Sequence, residues 1–114
     1  MNLPARIPKK AKRASRWRSQ AHAAFVRSHA CTNCGSMAGI EFAHVRLGSC
    51  AGMGQRPDDW NAVSLCKSCH AEQHTVGERS FWKGRDVGAI IELFIQGSPK
   101  RFEIEKVRKE REGG

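Results

Sequence analysis

Four of the five cysteines fall into two Cys-x-x-Cys pairs, Cys31 with Cys34 and Cys66 with Cys69, and this pairing limits the available folds more than any other feature. A C-x-x-C turn sets two thiolates on one side of a tight knuckle, at the spread of two tetrahedral corners with Zn–S near ~2.3 Å. Two such knuckles make a closed structural site, so structural Zn²⁺ is expected on Cys31, Cys34, Cys66 and Cys69; the competing reading is two disulfides or a redox pair. The 31 residues between the inner cysteines exceed the insert of a simple zinc ribbon, so the ion would tie the start of one element to the start of a distant one. With 114 residues and 7% aromatics the chain can build one modest core, and it gains from such a staple. Closing a site of this kind contributes on the order of 10 kcal/mol in small zinc domains.

Charge is distributed unevenly. The net charge is +9, and residues 1 to 40 hold eight Lys or Arg with no acidic residue. Lys9, Lys10, Lys12, Arg13, Arg16 and Arg18 dominate this leading arm, which suits a polyanion because each neutralised phosphate releases counterions. The plainer reading is a solvated tail. No apolar run follows the charged N-terminus, and Val87 to Ile95 is too short and too interrupted to span a membrane. A soluble, cytoplasmic protein with no membrane partner is expected, its oligomeric state open.

The elements can be read in order. Residues 1–14, with two prolines, read as an extended or disordered arm. Ser15 is placed to cap a helix running to His29, with Trp17, Ala21, Ala24 and Phe25 as its apolar stripe, and His22 and His29 on its surface. Ile40 to Arg46 alternates as a strand, with Ile40, Phe42 and His44 on one face. Gly48 to Asp59 reads as loop, with Cys50 a free thiol within it, and Asn61 to Leu65 as a second strand. Helices are expected over Cys66 to Val76, stopped by Gly77, and over Asp86 to Gln96, stopped by Gly97-Ser98-Pro99. The arm, a central domain over residues 15–97 and a charged tail over residues 98–114, either a surface helix or frayed, complete an α+β reading.

Histidines supply the chemistry. His70 and His74 are four apart on an expected helix, so their imidazoles share a face and can chelate one ion. His44 ends a strand, where a side chain is held rigidly. The chain reads His44, sixteen residues, Asn61, eight residues, His70, three residues, His74. This spacing resembles the HNH (ββα-metal) nuclease signature in the form found in colicin-type DNases, set in a C-x-x-C…C-x-x-C-H frame. The likeness is nearest to small prophage nucleases of the YbcO-like kind and looser to the phage Ref nucleases. It rests on Ala43-His-Val-Arg-Leu47, Gly52-Met-Gly-Gln-Arg-Pro-Asp-Asp59 and Leu65-Cys-Lys-Ser-Cys-His70, within residues 31–82.

The resemblance implies a zinc-stapled, treble-clef-like fold and a metal-dependent endonuclease of low sequence specificity, acting on DNA rather than RNA and of phage or prophage type. His44 would take a proton from water as general base, and Asn61 would orient the hairpin. His70 and His74 would hold a catalytic divalent ion, Mg²⁺, Mn²⁺ or Zn²⁺, against the phosphate. Ala43 stands where such enzymes commonly carry a further ligand, so Asp59 is the first substitute and Asp58 the second. Arg46 and Arg56 are candidates for phosphate contacts. The competing function is a non-catalytic zinc-binding nucleic-acid module, which would need the staple and the arm but not the three histidines at this spacing.

Overall fold

The computed structural model describes residues 16–48 and 56–113. In chain order these form α1 (Gln20–Arg27), β1 (Ile40–His44), β2 (Ala62–Cys66), α2 (Lys67–Val76), α3 (Glu78–Phe81), α4 (Val87–Gly97) and α5 (Arg101–Gly113). β1 and β2 pair antiparallel from Ile40 opposite Cys66 to His44 opposite Ala62.

Helices cover both faces of this hairpin, which is why all five residues of β2 are buried. α1 lies over the face that carries Phe42 and His44; the His22 and Phe42 rings are 6.4 Å apart. The other face, carrying Glu41 and Ala43, meets α2. That helix runs back alongside β1: Lys67 N bonds Gly39 O at 3.0 Å where it begins, and His70 meets Glu41 a turn later. Beyond its end, the Glu78 carboxylate accepts the backbone amides of Arg46 and Leu47 at 2.8 and 2.9 Å. β2 also carries a satisfied buried hydroxyl, since Ser64 Oγ donates to Ala30 O at 2.7 Å and Ser64 O accepts Thr32 N at 2.9 Å. These bonds hold the first cysteine knuckle against the strand that leads into the second.

Two local expectations change. α1 begins at Gln20, not after Ser15: Ser19 is extended and its hydroxyl accepts His22 N at 3.1 Å, so the cap sits four residues later. Trp17 therefore precedes the helix, and the buried α1 side chains are His22 and Val26. His22 is not on the surface. Its Nδ1 lies 2.8 Å from Ser98 Oγ, locking α1 to the turn between α4 and α5. Burial draws its pKa below the ordinary value, against the opposing pull of Asp59. His29 is exposed, as expected.

The C-terminal charged segment is α5, and it docks. Ile104 is fully buried, Arg108 grips Glu92 of α4 at 2.8 and 3.3 Å, and Arg111 reaches Asp58 at 2.7 Å. α4 presents Val87, Ile91 and Ile95 to the core at helical spacing, with Asp86 capping Ala89 N at 3.1 Å. Gly97 does more than stop α4. A Cβ there would stand 3.0 Å from Phe25 Cζ, so its missing side chain admits the α1 ring. No helix among the described residues is long and apolar enough to cross a membrane.

Candidate functional site

Two constellations share the hairpin. The first is the cysteine cluster. Cys31 and Cys34 come from the turn after α1, Cys66 ends β2, and Cys69 lies in the first turn of α2; their ligand atoms all lie within 4.8 Å of one another. Cys34 and Cys66 Sγ are 3.8 Å apart, matching the edge of about 3.8 Å that a tetrahedron with Zn–S of ~2.3 Å requires. The four could therefore hold a structural metal ion such as zinc. Burial raises the Cys31 thiol, but backbone N–H groups of Cys66, Cys34 and Asn33 outweigh it and lower the pKa to about 6. At Cys69 the Asn33 amide favours the thiolate, yet burial and the three neighbouring thiols push it up to about 12. A bound cation reverses that repulsion.

The second is a cleft of about 330 Å³ between the start of α1 and β1, lined among others by Arg18, Ser19, Phe42, His44, Arg56 and Asp59. At its floor His44 Nε2 donates to Asp59 Oδ1 at 2.9 Å. An ionised carboxylate only accepts, so this bond leaves His44 Nδ1 as the ring's lone-pair nitrogen. Asp59 is itself fixed: Ser19 N donates to its Oδ2 at 2.8 Å, and Arg18 Nη1 lies 3.3 Å from Oδ1. Burial raises the Asp59 carboxyl, but the His44 bond, the Ser19 amide and Arg18 together hold it below its ordinary value. The result is a charged carboxylate that orients an imidazole beside two arginines.

Asn61 donates its Nδ2 to Val45 O, and Val45 N returns a bond of 2.8 Å to Asn61 O, clamping the hairpin next to His44. His70 and His74 stand side by side on α2 with ring centroids 4.9 Å apart. Asp59, expected beside them, is engaged with His44 instead, and the reason is that His44, the Ser19 amide and Arg18 all draw it to the α1 side. Among the described residues, only the four cysteines come together as three or more metal-capable side chains. Asp58, the second choice, is a structural hub: it accepts Trp17 N at 2.6 Å and Arg111 at 2.7 Å, with Arg16 at 3.8 Å. Arg18 also donates to Pro57 O at 2.6 Å, so it lies across the cleft rim and does not continue an arm. Arg56 is exposed at the same rim, and Arg46 is exposed after β1. Lys9, Lys10, Lys12, Arg13 and Cys50 lie outside the described residues.

Sequence reading missed Glu41, Ser19 and Glu78. Alternation alone would put Glu41 on the Ala43 face of β1, but its proximity to His70 depends on how α2 lies.

Fold and site together define a small α+β domain in which four clustered cysteines that could hold a metal lie at one end of a hairpin and a histidine–aspartate cleft at the other. The chain belongs to the family DUF968, described as a protein of unknown function, whose model matches residues 3–96. No curated protein and no solved structure matches it. α5 lies beyond the matched span.

Proposed function

We propose that this protein is a metal-dependent endonuclease of the HNH type, hydrolysing DNA phosphodiesters with little sequence preference, and that zinc on Cys31, Cys34, Cys66 and Cys69 staples it. The observation that carries the reading is the His44–Asp59 pair in a cleft rimmed by Arg18 and Arg56. Asp59 fixes the tautomer of His44 and stabilises the imidazolium that forms when Nδ1 takes a proton from water. The resulting hydroxide attacks phosphorus, the P–O3′ bond breaks, and the leaving oxygen is protonated from solvent. Arg18 and Arg56 hold the phosphate oxygens. Asn61 keeps the base of the hairpin, and with it His44, in register. A divalent ion on His70 and His74 would supply charge stabilisation at the phosphate and the leaving oxygen.

β1 pairs with β2 alone among the described residues, leaving its other edge without a partner strand. A phosphodiester lying along that edge can be met by His44 from the α1 side and by the α2 histidines from the other. The same alternation favours a second reading, a zinc-stapled nucleic-acid-binding module without catalysis, since His44 and His70 belong to opposite faces of the hairpin.

Supercoiled plasmid incubated with zinc-loaded protein and Mg²⁺, Mn²⁺ or Zn²⁺ separates the two. Metal-dependent nicking that falls by about 10²–10⁴-fold in folded, zinc-loaded His44→Ala supports the nuclease. Plasmid binding with no cutting under any of the ions supports the module and overturns the enzyme.

A further inference from the structure

Glu41 of β1 meets the first of the two helix histidines. Strand alternation turns it toward α2, away from His44. Its Oε1 stands 2.9 Å from His70 Nδ1. Because a carboxylate can only accept, the His70 proton sits on Nδ1, and the lone pair is left on Nε2. One helical turn on, the His74 ring lies 4.9 Å from that of His70, with the ring planes 36° apart. Metal-ligating histidines commonly show this arrangement, with the far ring nitrogen donating to a carboxylate that fixes both tautomer and orientation.

We propose that Glu41 is the positioning residue of a two-histidine site for a divalent transition-metal ion. It acts through His70, whose Nε2 joins His74 as a donor. This rests on the reading of His70 and His74 as the protein donors of the catalytic ion. Imidazole donors suit Mn²⁺, Co²⁺, Ni²⁺ or Zn²⁺, and two protein donors leave positions for water and phosphate oxygens. The His70 and Glu41 side chains are 23% and 45% exposed, and an ion pair so open to solvent adds little to stability. Replacing Glu41 should therefore leave the fold intact and act on the metal.

The test is a calorimetric Ni²⁺ titration of the zinc-loaded full chain, with zinc content checked before and after, on wild type, Glu41→Ala, Glu41→Gln, His70→Ala and His74→Ala. Glu41→Ala should bind Ni²⁺ about 10–100-fold more weakly, and Glu41→Gln, whose amide oxygen still accepts the bond, should recover part of that loss. Both histidine variants should lose the site. Before Ni²⁺ is added, long-range ¹H–¹⁵N spectra should report His70 protonated at Nδ1 in wild type and at Nε2 in Glu41→Ala. Wild-type affinity in Glu41→Ala, or a wild-type His70 protonated at Nε2, overturns the role of Glu41 while leaving the ion site standing. Wild-type affinity in His70→Ala and His74→Ala overturns the ion site itself, and Glu41's role with it.

Discussion

Truncating Ile104 to alanine tests whether the last helix belongs to the domain. Ile104 is 0% exposed and sits in the same core as Ile91, Ile95 and Trp17, although it lies in a segment whose composition reads as a charged tail. The substitution removes three carbons, worth about 2.4 kcal/mol in lost transfer energy at ~0.8 kcal/mol each. A residual cavity of some tens of Å³ adds about 1 kcal/mol, giving about 3 kcal/mol in all. At roughly 4–5 °C per kcal/mol for a domain of this size, Tm should fall by about 12–15 °C. The assay is thermal unfolding followed by circular dichroism on zinc-loaded protein. Phe102→Ala is the control on the same helix: Phe102 is 76% exposed, and its loss should cost less than about 0.5 kcal/mol. If the two variants shift Tm equally and slightly, α5 is frayed in solution and the core as described is wrong.

Three other outcomes are expected. Asp59 has its folded pKa held below the ordinary carboxylate value, so its ionised form stabilises the fold above the unfolded pKa of about 3.9, and that contribution disappears as pH falls through the lower folded value. The gap in urea midpoint between wild type and Asp59→Asn should therefore narrow as pH falls below about 4; a gap that persists unchanged at about pH 2 contradicts an Asp59 carboxylate held ionised by His44, Ser19 and Arg18. Stripping the metal from the four cysteines with a chelator should unfold the chain, because a site worth on the order of 10 kcal/mol exceeds the stability such a small core supplies; unchanged circular dichroism after complete metal release would count against the staple. DNA affinity should fall with salt with a log–log slope of roughly −4 to −5, and Arg56→Ala should reduce that slope by about 1. A slope near zero would remove phosphate recognition from the cleft.

The clustering of the four cysteines was legible in the sequence because it is local: each C-x-x-C turn closes on itself, and only one partner pair is on offer. The hairpin was legible for a similar reason. Ile40, Phe42 and His44 alternate with Glu41 and Ala43, and that period of two survives any tertiary context. The helix over Val87–Gly97 follows from its apolar periodicity and the Gly97-Ser98-Pro99 stop, and the end of the helix over Lys67–Val76 from Gly77. What misled was the N-terminal helix, where two serines four residues apart both offer a cap. Only packing selects Ser19, because Trp17 N is bound by Asp58 and Ser19 N by Asp59, which keeps the chain between them extended.

Adjacent acidic residues make the same point more sharply. Asp58 and Asp59 are chemically interchangeable in the sequence, and both were candidates to join His70 and His74. The fold sends Asp58 to Trp17 and Arg111, Asp59 to His44 and Ser19, and leaves Glu41 as the carboxylate beside His70. Residue types, and the residues that share a strand or helix face, follow from the chain alone, since local geometry repeats every two or 3.6 residues. Which carboxylate meets which histidine was decided only by tertiary structure, through the way α1 and α2 cover opposite faces of one hairpin. Contacts between residues 15 or 29 positions apart depend on how whole elements pack, and no local period encodes that.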